Sequence, residues 1–386
     1  MRALMVSGVD PGHTDRGDRI RARHVLEALT RHFDVDLALV GKEPDEEGMK
    51  ALFALGARVT VFPVKTLQLG LGALRAALAG RPWNMLHSNS LGAKAEAFDM
   101  VYDAVLAFQL KAAPLVAHVP AQLHMLELTD SLSLYRSLLP RSERRSRLIL
   151  TGIEREESRW VSAYDVSFVS SQRDKSAVQQ HTPSARVSVV ENGTTPWPEP
   201  VRPGVKTSVL FVGNLYYPPN RSGIQQFVQD AWPQIYNETR LPLRIVGNCP
   251  PQLARLLRVN GVQCIGYVRD LREEYERALA LVNPVQYGTG THSKVLDAWA
   301  AGLPVVTTSQ GAEGLDYRQG EHLLVADATA DWIRALSGLS SSPDLWERMS
   351  RAGFQHASNR YNVQRLWDAA LQDAFESRRQ AHAHRI

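Results

Sequence analysis

Apolar segments of strand length recur along this chain, nearly continuous rather than alternating, and helical patterns lie between them. Residues 3–7, 35–40, 59–62, 166–169 and 187–190 form one series. Residues 209–212, 243–246, 280–285 and 304–307 form a second. A strand that alternates buries one face, whereas one that is apolar throughout is covered on both. Residues 19–32 put Ile20, His24, Leu26 and Leu29 near one helix face, and residues 224–235 do the same with Phe227, Val228 and Ile235. Strands alternating with helices predict an α/β fold of parallel sheets with right-handed crossovers.

The two series are separated by residues 196–204, Pro-Trp-Pro-Glu-Pro-Val-Arg-Pro-Gly, which can continue neither a helix nor an inner strand. Two Rossmann-like domains are expected, 1–195 and 205–357, joined by a stiff linker; 386 residues suit two domains. The closing helical stretch, about 358–386, can pack on either.

Several classes are excluded. A balance of 44 Lys+Arg to 40 Asp+Glu is too mild to imply nucleic acid. No apolar run approaches the roughly 20 residues of a membrane span. The N-terminus reads as a first strand rather than a secretory signal. Only Cys249 and Cys264 occur, without metal-ligand spacing, which suits a reducing compartment. A cytoplasmic protein is expected.

In open parallel sheets, ligands bind beyond the carboxyl ends of the strands. The first such loop, residues 8–19, carries Gly12 and Gly17, where backbone can approach a ligand, and leads into a helix N-terminus. The second, 214–222, carries Arg221, suited to a phosphate or to solvent. The third carries most of the chemistry. Gly288 and Gly290 turn the chain into a helix that starts near Thr291 or His292 and ends at Gly302. Helix-start amides, Thr291, His292 and Lys294 form a natural diphosphate cradle. Lys294 is one of only eight lysines, against thirty-six arginines. Asp297, at i+3 on the same side, can accept hydrogen bonds from a ribose diol. Singly, each has an ordinary reading: a cap, a solvated ring, a surface charge. A fourth loop brackets Glu313 between Gly311 and Gly314.

At the third loop the sequence resembles a family-4-type retaining glycosyltransferase of the GT-B fold. Supporting motifs, in order, are residues 16–21 (Arg-Gly-Asp-Arg-Ile-Arg), 130–133 (Asp-Ser-Leu-Ser), 190–193 (Val-Glu-Asn-Gly), 211–215 (Phe-Val-Gly-Asn-Leu), 217–220 (Tyr-Pro-Pro-Asn), 244–247 (Arg-Ile-Val-Gly), 266–270 (Gly-Tyr-Val-Arg-Asp), 288–298 and 311–314 (Gly-Ala-Glu-Gly). The resemblance implies two Rossmann-like domains facing across a cleft. A nucleotide-sugar donor would lie in the second and an acceptor in the first, with the last helix crossing back. It places Asp297 on the nucleotide ribose; Thr291, His292 and Lys294 at the diphosphate; Val268 near the base; and Gly17 in the loop approaching the diphosphate. Asn214, Thr289, Gly290, Val295 and Glu313 complete the expected donor-binding set.

Three positions depart from the family's pattern. Its paired glutamates are here Thr289 and Asp297. The basic residue that often follows the second domain's Val-Gly is Asn214. Its frequent His-Asp pair at the end of a first-domain strand is Thr129-Asp130. Lys294 and Arg221 are then expected to stabilise the leaving diphosphate, with Asp130 orienting acceptor or sugar. No cofactor or metal is expected.

A GT-B nucleotide-sugar 2-epimerase and a non-catalytic sugar-binding homologue are the alternatives. A dehydrogenase is disfavoured, since the first loop lacks Gly-x-Gly-x-x-Gly. The acceptor would be a glycan, a lipid-linked glycan or a small molecule in bacterial polysaccharide or glycoconjugate assembly. Apolar residues 67–78 and basic residues 141–147 suggest either peripheral contact with the anionic inner face of the cytoplasmic membrane or ordinary core and surface.

Overall fold

A computed structural model describes residues 1–14, 16–63, 100–138, 147–202, 204, 206–268, 270–287 and 293–383. The chain divides into two compact units, Met1–Glu191 with Gln364–Ile386, and Asn192–Val363.

In the first unit the described strands are β1 (Arg2–Ser7), β2 (Asp34–Val40), β3 (Arg58–Phe62), β4 (Tyr102–Phe108), β5 (Ala121–Thr129), β6 (Val166–Val169) and β7 (Val187–Val189). They pair in the order β3-β2-β1-β4-β5-β6-β7, all parallel. The second unit contains β8 (Ser208–Val212), β9 (Leu243–Val246), β10 (Val262–Gly266), β11 (Ala278–Asn283), β12 (Val305–Thr307) and β13 (Leu324–Val325). These pair in the order β10-β9-β8-β11-β12-β13, again parallel. Both orders begin with the doubly wound 3-2-1-4 arrangement, whose switch points fall between β1 and β4 and between β8 and β11. The near-continuous apolar runs follow from this: β1, β4, β8 and β11 are central, and their side chains are buried on both faces.

Some local expectations change. The helix expected over 224–235 is two helices, Pro218–Asp230 and Trp232–Thr239. Pro233 has no amide hydrogen and cannot continue the first helix, but fits near the start of the second. Likewise β11 stops at Asn283 because Pro284 cannot join the ladder.

The proline-rich stretch is part of the second unit rather than a free linker. The Trp197 amide donates to the Ala300 carbonyl at 3.1 Å, and the Val201 amide to Ala301 at 2.7 Å. Those carbonyls end the helix Ser293–Ala301 and have no partner within it. Trp197 also meets Tyr275 edge-on at 5.7 Å and lies under the Arg272 guanidinium at 4.5 Å. The helix Val363–Ala383 packs on the first unit. Phe375 stacks on Phe33, Trp367 meets Phe168, and Asp373 pairs with Arg186 at 2.7 Å.

No described helix is long and apolar enough to cross a membrane. Residues 67–78 and 141–146, named above for membrane contact, lie outside the described residues.

Candidate functional site

In the second unit, the carboxyl ends of β8, β9 and β11 come close together. Gly247 adopts φ +131°, and a Cβ there would lie 2.2 Å from the Gly213 carbonyl oxygen. The two Val-Gly motifs are thus explained by backbone packing beside the switch point.

Lys294 lies in the first turn of the helix Ser293–Ala301. Its Nζ donates to Asn220 Oδ1 at 2.5 Å and sits 4.9 Å from the centre of the Phe211 ring. Asn220, 9% exposed, in turn donates through Nδ2 to the Asn214 carbonyl at 3.1 Å. Among the described residues no carboxylate pairs with Lys294. Desolvation by burial lowers the ammonium to about 7. A cation in a helix's first turn also opposes the helix dipole. An anion binding here would relieve both penalties.

Asp297 lies one turn further on, half-buried. Its Oδ1 accepts from Thr194 Oγ1 at 3.0 Å. Burial pushes the carboxyl up to about 6, against the pull of that hydrogen bond. Asp297 and Lys294 form no ion pair; each is held by a neutral group. The Tyr275 phenol, 2% exposed, has no hydrogen-bond partner among the described residues and is raised by burial and by the charge of Asp297.

Arg221 is exposed in the first turn of the helix Pro218–Asp230, with its amide bonded to the Tyr217 carbonyl. Asn214 closes an Asx turn, its Oδ1 accepting from the Tyr216 amide at 2.9 Å. Val268 is half-buried against the core beyond β10. Glu313 is exposed and accepts from the Gln310 side chain. Val295 corrects the expectation: it is fully buried, because the core face of its helix takes Val295, Leu296, Ala298 and Trp299. Its side chain cannot touch a donor. Thr289, Gly290, Thr291 and His292 lie outside the described residues.

In the first unit, Gly17 opens the helix Gly17–His32, exposed, and a Cβ there would meet nothing within 4 Å. Packing does not require glycine at that position. Gly12 differs: a Cβ would stand 2.5 Å from the Gly48 carbonyl oxygen, so packing accounts for it. Asp130 is exposed after β5, and its Oδ1 accepts from Ser170 Oγ at 2.8 Å.

The turn carrying Asp130 is held by groups that sequence reading missed. Thr129 has φ +68°, a costly conformation for a β-branched residue, about 1–3 kcal/mol. Its amide donates to Glu127 Oε1 at 2.7 Å. The fully buried Glu127 takes a two-pronged contact from Arg21, at 2.6 and 3.2 Å. Arg21 lies over the Trp367 ring at 5.4 Å. Glu157 accepts from the Leu132 amide and from the hydroxyls of Ser131 and Ser133, while Asp174 accepts from the Ser131 amide. The available signal was a charged residue inside the apolar segment Leu126-Glu127-Leu128. Nothing comparable marks Thr194, Asn220 or Tyr275.

Residues 206–342 match the family model described as Glycosyl transferases group 1. An uncharacterized 44.6 kDa protein in the cps region of Klebsiella pneumoniae is 25% identical over 176 residues, 43% of this chain and 45% of that protein. The chain therefore matches under half the length of this curated relative. Among solved structures, sucrose-phosphate synthase from Thermosynechococcus elongatus is similar at TM-score 0.65 and 16% identity, over 99% of each chain. The Anabaena protein HepE, in complex with UDP and glucose, gives 0.66 at 16% identity, over 98% of this chain and 100% of that one. WaaG, a glycosyltransferase involved in lipopolysaccharide biosynthesis, gives 0.66 at 14% identity, over 94% and 97%. With both sheets in doubly wound order, the likeness shows the GT-B fold.

Proposed function

From the match of residues 206–342 to the glycosyl transferases group 1 model, we propose that the chain is a retaining glycosyltransferase. It moves a sugar from a nucleoside diphosphate to a hydroxyl of a glycan, glycolipid or other acceptor. The observation that carries this reading is Lys294. It is a desolvated ammonium in a helix's first turn beside the β8/β11 switch point, paired with no carboxylate among the described residues. Asp297, one turn on, suits the nucleotide ribose. The cps-region relative and the lipopolysaccharide enzyme WaaG support polysaccharide or glycoconjugate assembly as the setting. HepE, solved with UDP, supports a uridine nucleotide as the first donor to try.

The chemistry asked of the site is cleavage of the bond between the anomeric carbon and the diphosphate oxygen. Positive charge grows on the sugar ring and negative charge on the leaving group. Lys294 and Arg221 stabilise the leaving diphosphate; fixed charge in a water-poor site is worth more than in bulk solvent. Retention follows if the acceptor hydroxyl enters on the leaving-group face and gives its proton to the departing phosphate oxygen. Gly17, at an open helix N-terminus, lets backbone amides approach the diphosphate. Asp130, fixed by Ser170, orients the acceptor or the donor sugar.

A thermal-shift screen against UDP-, GDP-, dTDP- and ADP-sugars tests the reading. At a hundred times Kd, a bound donor stabilises by about 2.7 kcal/mol. If none of the nucleotides raises Tm, the donor site is refuted. Conversion of the donor to an epimer without acceptor would point to a 2-epimerase. An inverted product, read by NMR of the anomeric centre, would overturn retention.

A further inference from the structure

We propose that Asn220 is a positioning residue for the donor: its side-chain oxygen holds the Lys294 ammonium without neutralising it, leaving the diphosphate as the lysine's charge partner. The proposal rests on the donor-site reading above.

The geometry is specific. Asn220 is tied at both ends, with Nδ2 on the Asn214 carbonyl and Oδ1 on Lys294 Nζ. The first bond fixes which way the amide points, so the oxygen faces the lysine. Asn220 lies in the first turn of the helix Pro218–Asp230, Lys294 in the first turn of the helix Ser293–Ala301. One side chain therefore joins the loop after β8 to the helix that follows β11. Below the ammonium lies the Phe211 ring, which attracts a cation but carries no charge. The other charged groups on these two helices are Arg221 and Asp230, both exposed, and Asp297, bonded to Thr194; none pairs with Lys294. Among the described residues the lysine is aimed but meets no opposite charge.

A carboxylate at position 220 would still present an oxygen to Lys294, although it could not donate to the Asn214 carbonyl. It would also occupy the charge that a diphosphate must meet, and two anions would then compete for one ammonium. A neutral oxygen avoids that competition. The simpler possibility is that Asn220 serves only to tie the loop at residues 213–217. Then its replacement would change stability but not the lysine's titration.

The test reads the lysine directly. With only eight lysines in the chain, 13Cε and 15Nζ spectra of lysine-labelled protein can be followed with pH, the Lys294 signal being identified by its loss in Lys294→Gln. Asn220→Asp, isosteric and therefore tolerant of the fold, is expected to raise the Lys294 titration by at least about one pH unit and to weaken UDP about tenfold. Asn220→Leu is expected to lower the titration and to weaken UDP as well, by loss of aim. Wild-type protein that binds UDP, together with both variants titrating Lys294 and binding UDP as wild type does, would overturn the proposal alone. Wild-type protein that binds none of UDP, GDP, dTDP or ADP would overturn the donor-site reading, and this proposal with it.

Discussion

Asp297→Asn should make the protein more stable while removing its donor affinity. In the folded chain the carboxyl is raised from its ordinary 3.8 to about 6 by burial, so the folded state binds this proton more tightly than the unfolded chain does. Stability from this group is therefore fully present below pH 3.8. It is lost as pH rises to about 6, and above that the cost is constant. At about 1.4 kcal/mol per pKa unit, the ionised group costs about 3 kcal/mol at pH 7.5. Asparagine keeps the shape and still accepts from Thr194, but carries no charge. The substitution is expected to recover up to about 3 kcal/mol, or about 6–12 °C in Tm for a unit of this size. Thermal melts from pH 4 to 8 should show the gap between variant and wild type narrowing as pH falls below about 6 and nearly closed at pH 4, close to the unfolded value of 3.8. At pH 7.5, the Tm rise that UDP produces in the wild type should vanish in the variant. A variant that is less stable than wild type, or equally stabilised at every pH, would refute the reasoning. The first result would mean that Asp297 has a compensating partner, the second that the gain does not come from its charge.

Other substitutions separate binding from folding. Gly17→Ala should leave Tm within about 0.5 kcal/mol of wild type, because a Cβ there meets no neighbour, and should lower kcat/KM in a donor-turnover assay. Arg221→Ala should likewise leave Tm unchanged, the residue being exposed, and cut kcat/KM about 10–100-fold, since one removed charge contact is worth a few kcal/mol in a transition state. Arg21→Leu should cost about 3–5 kcal/mol in urea unfolding, because it strands the buried Glu127 carboxylate; Arg21→Leu with Glu127→Leu should recover part of that loss.

The sheets were legible because burial on both faces leaves a direct mark: residues 3–6 and 209–212 are apolar throughout, and both lie in inner strands. The loops that follow them were legible for the same reason, since topology alone points to strand ends. Lys294 stood out by scarcity. What the sequence hid were the neutral partners. Thr194 and Asn220 lie 103 and 74 residues from the charges they hold, and no local pattern links them. Val295 was placed with the donor because it lies within the segment 288–297, whereas helical spacing turns its side chain into the core. Glu127 was overlooked because a charge inside an apolar strand needs a distant Arg21 to make sense.

The proline-rich stretch bears on how the second unit can be cut from the chain. A fragment starting at residue 205, where the strand pattern resumes, would lack Trp197 and Val201 and leave the Ala300 and Ala301 carbonyls bare. It would also lack Thr194, which touches Asp297 by its hydroxyl and meets Tyr361 and Val363 through its backbone. Such a fragment would lose the hydrogen bond on the Asp297 carboxylate along with the partners at the end of the lysine-bearing helix. A fragment starting at Asn192 keeps both, so the nine residues that read as a spacer, with the four before them, decide whether the domain is expressed whole.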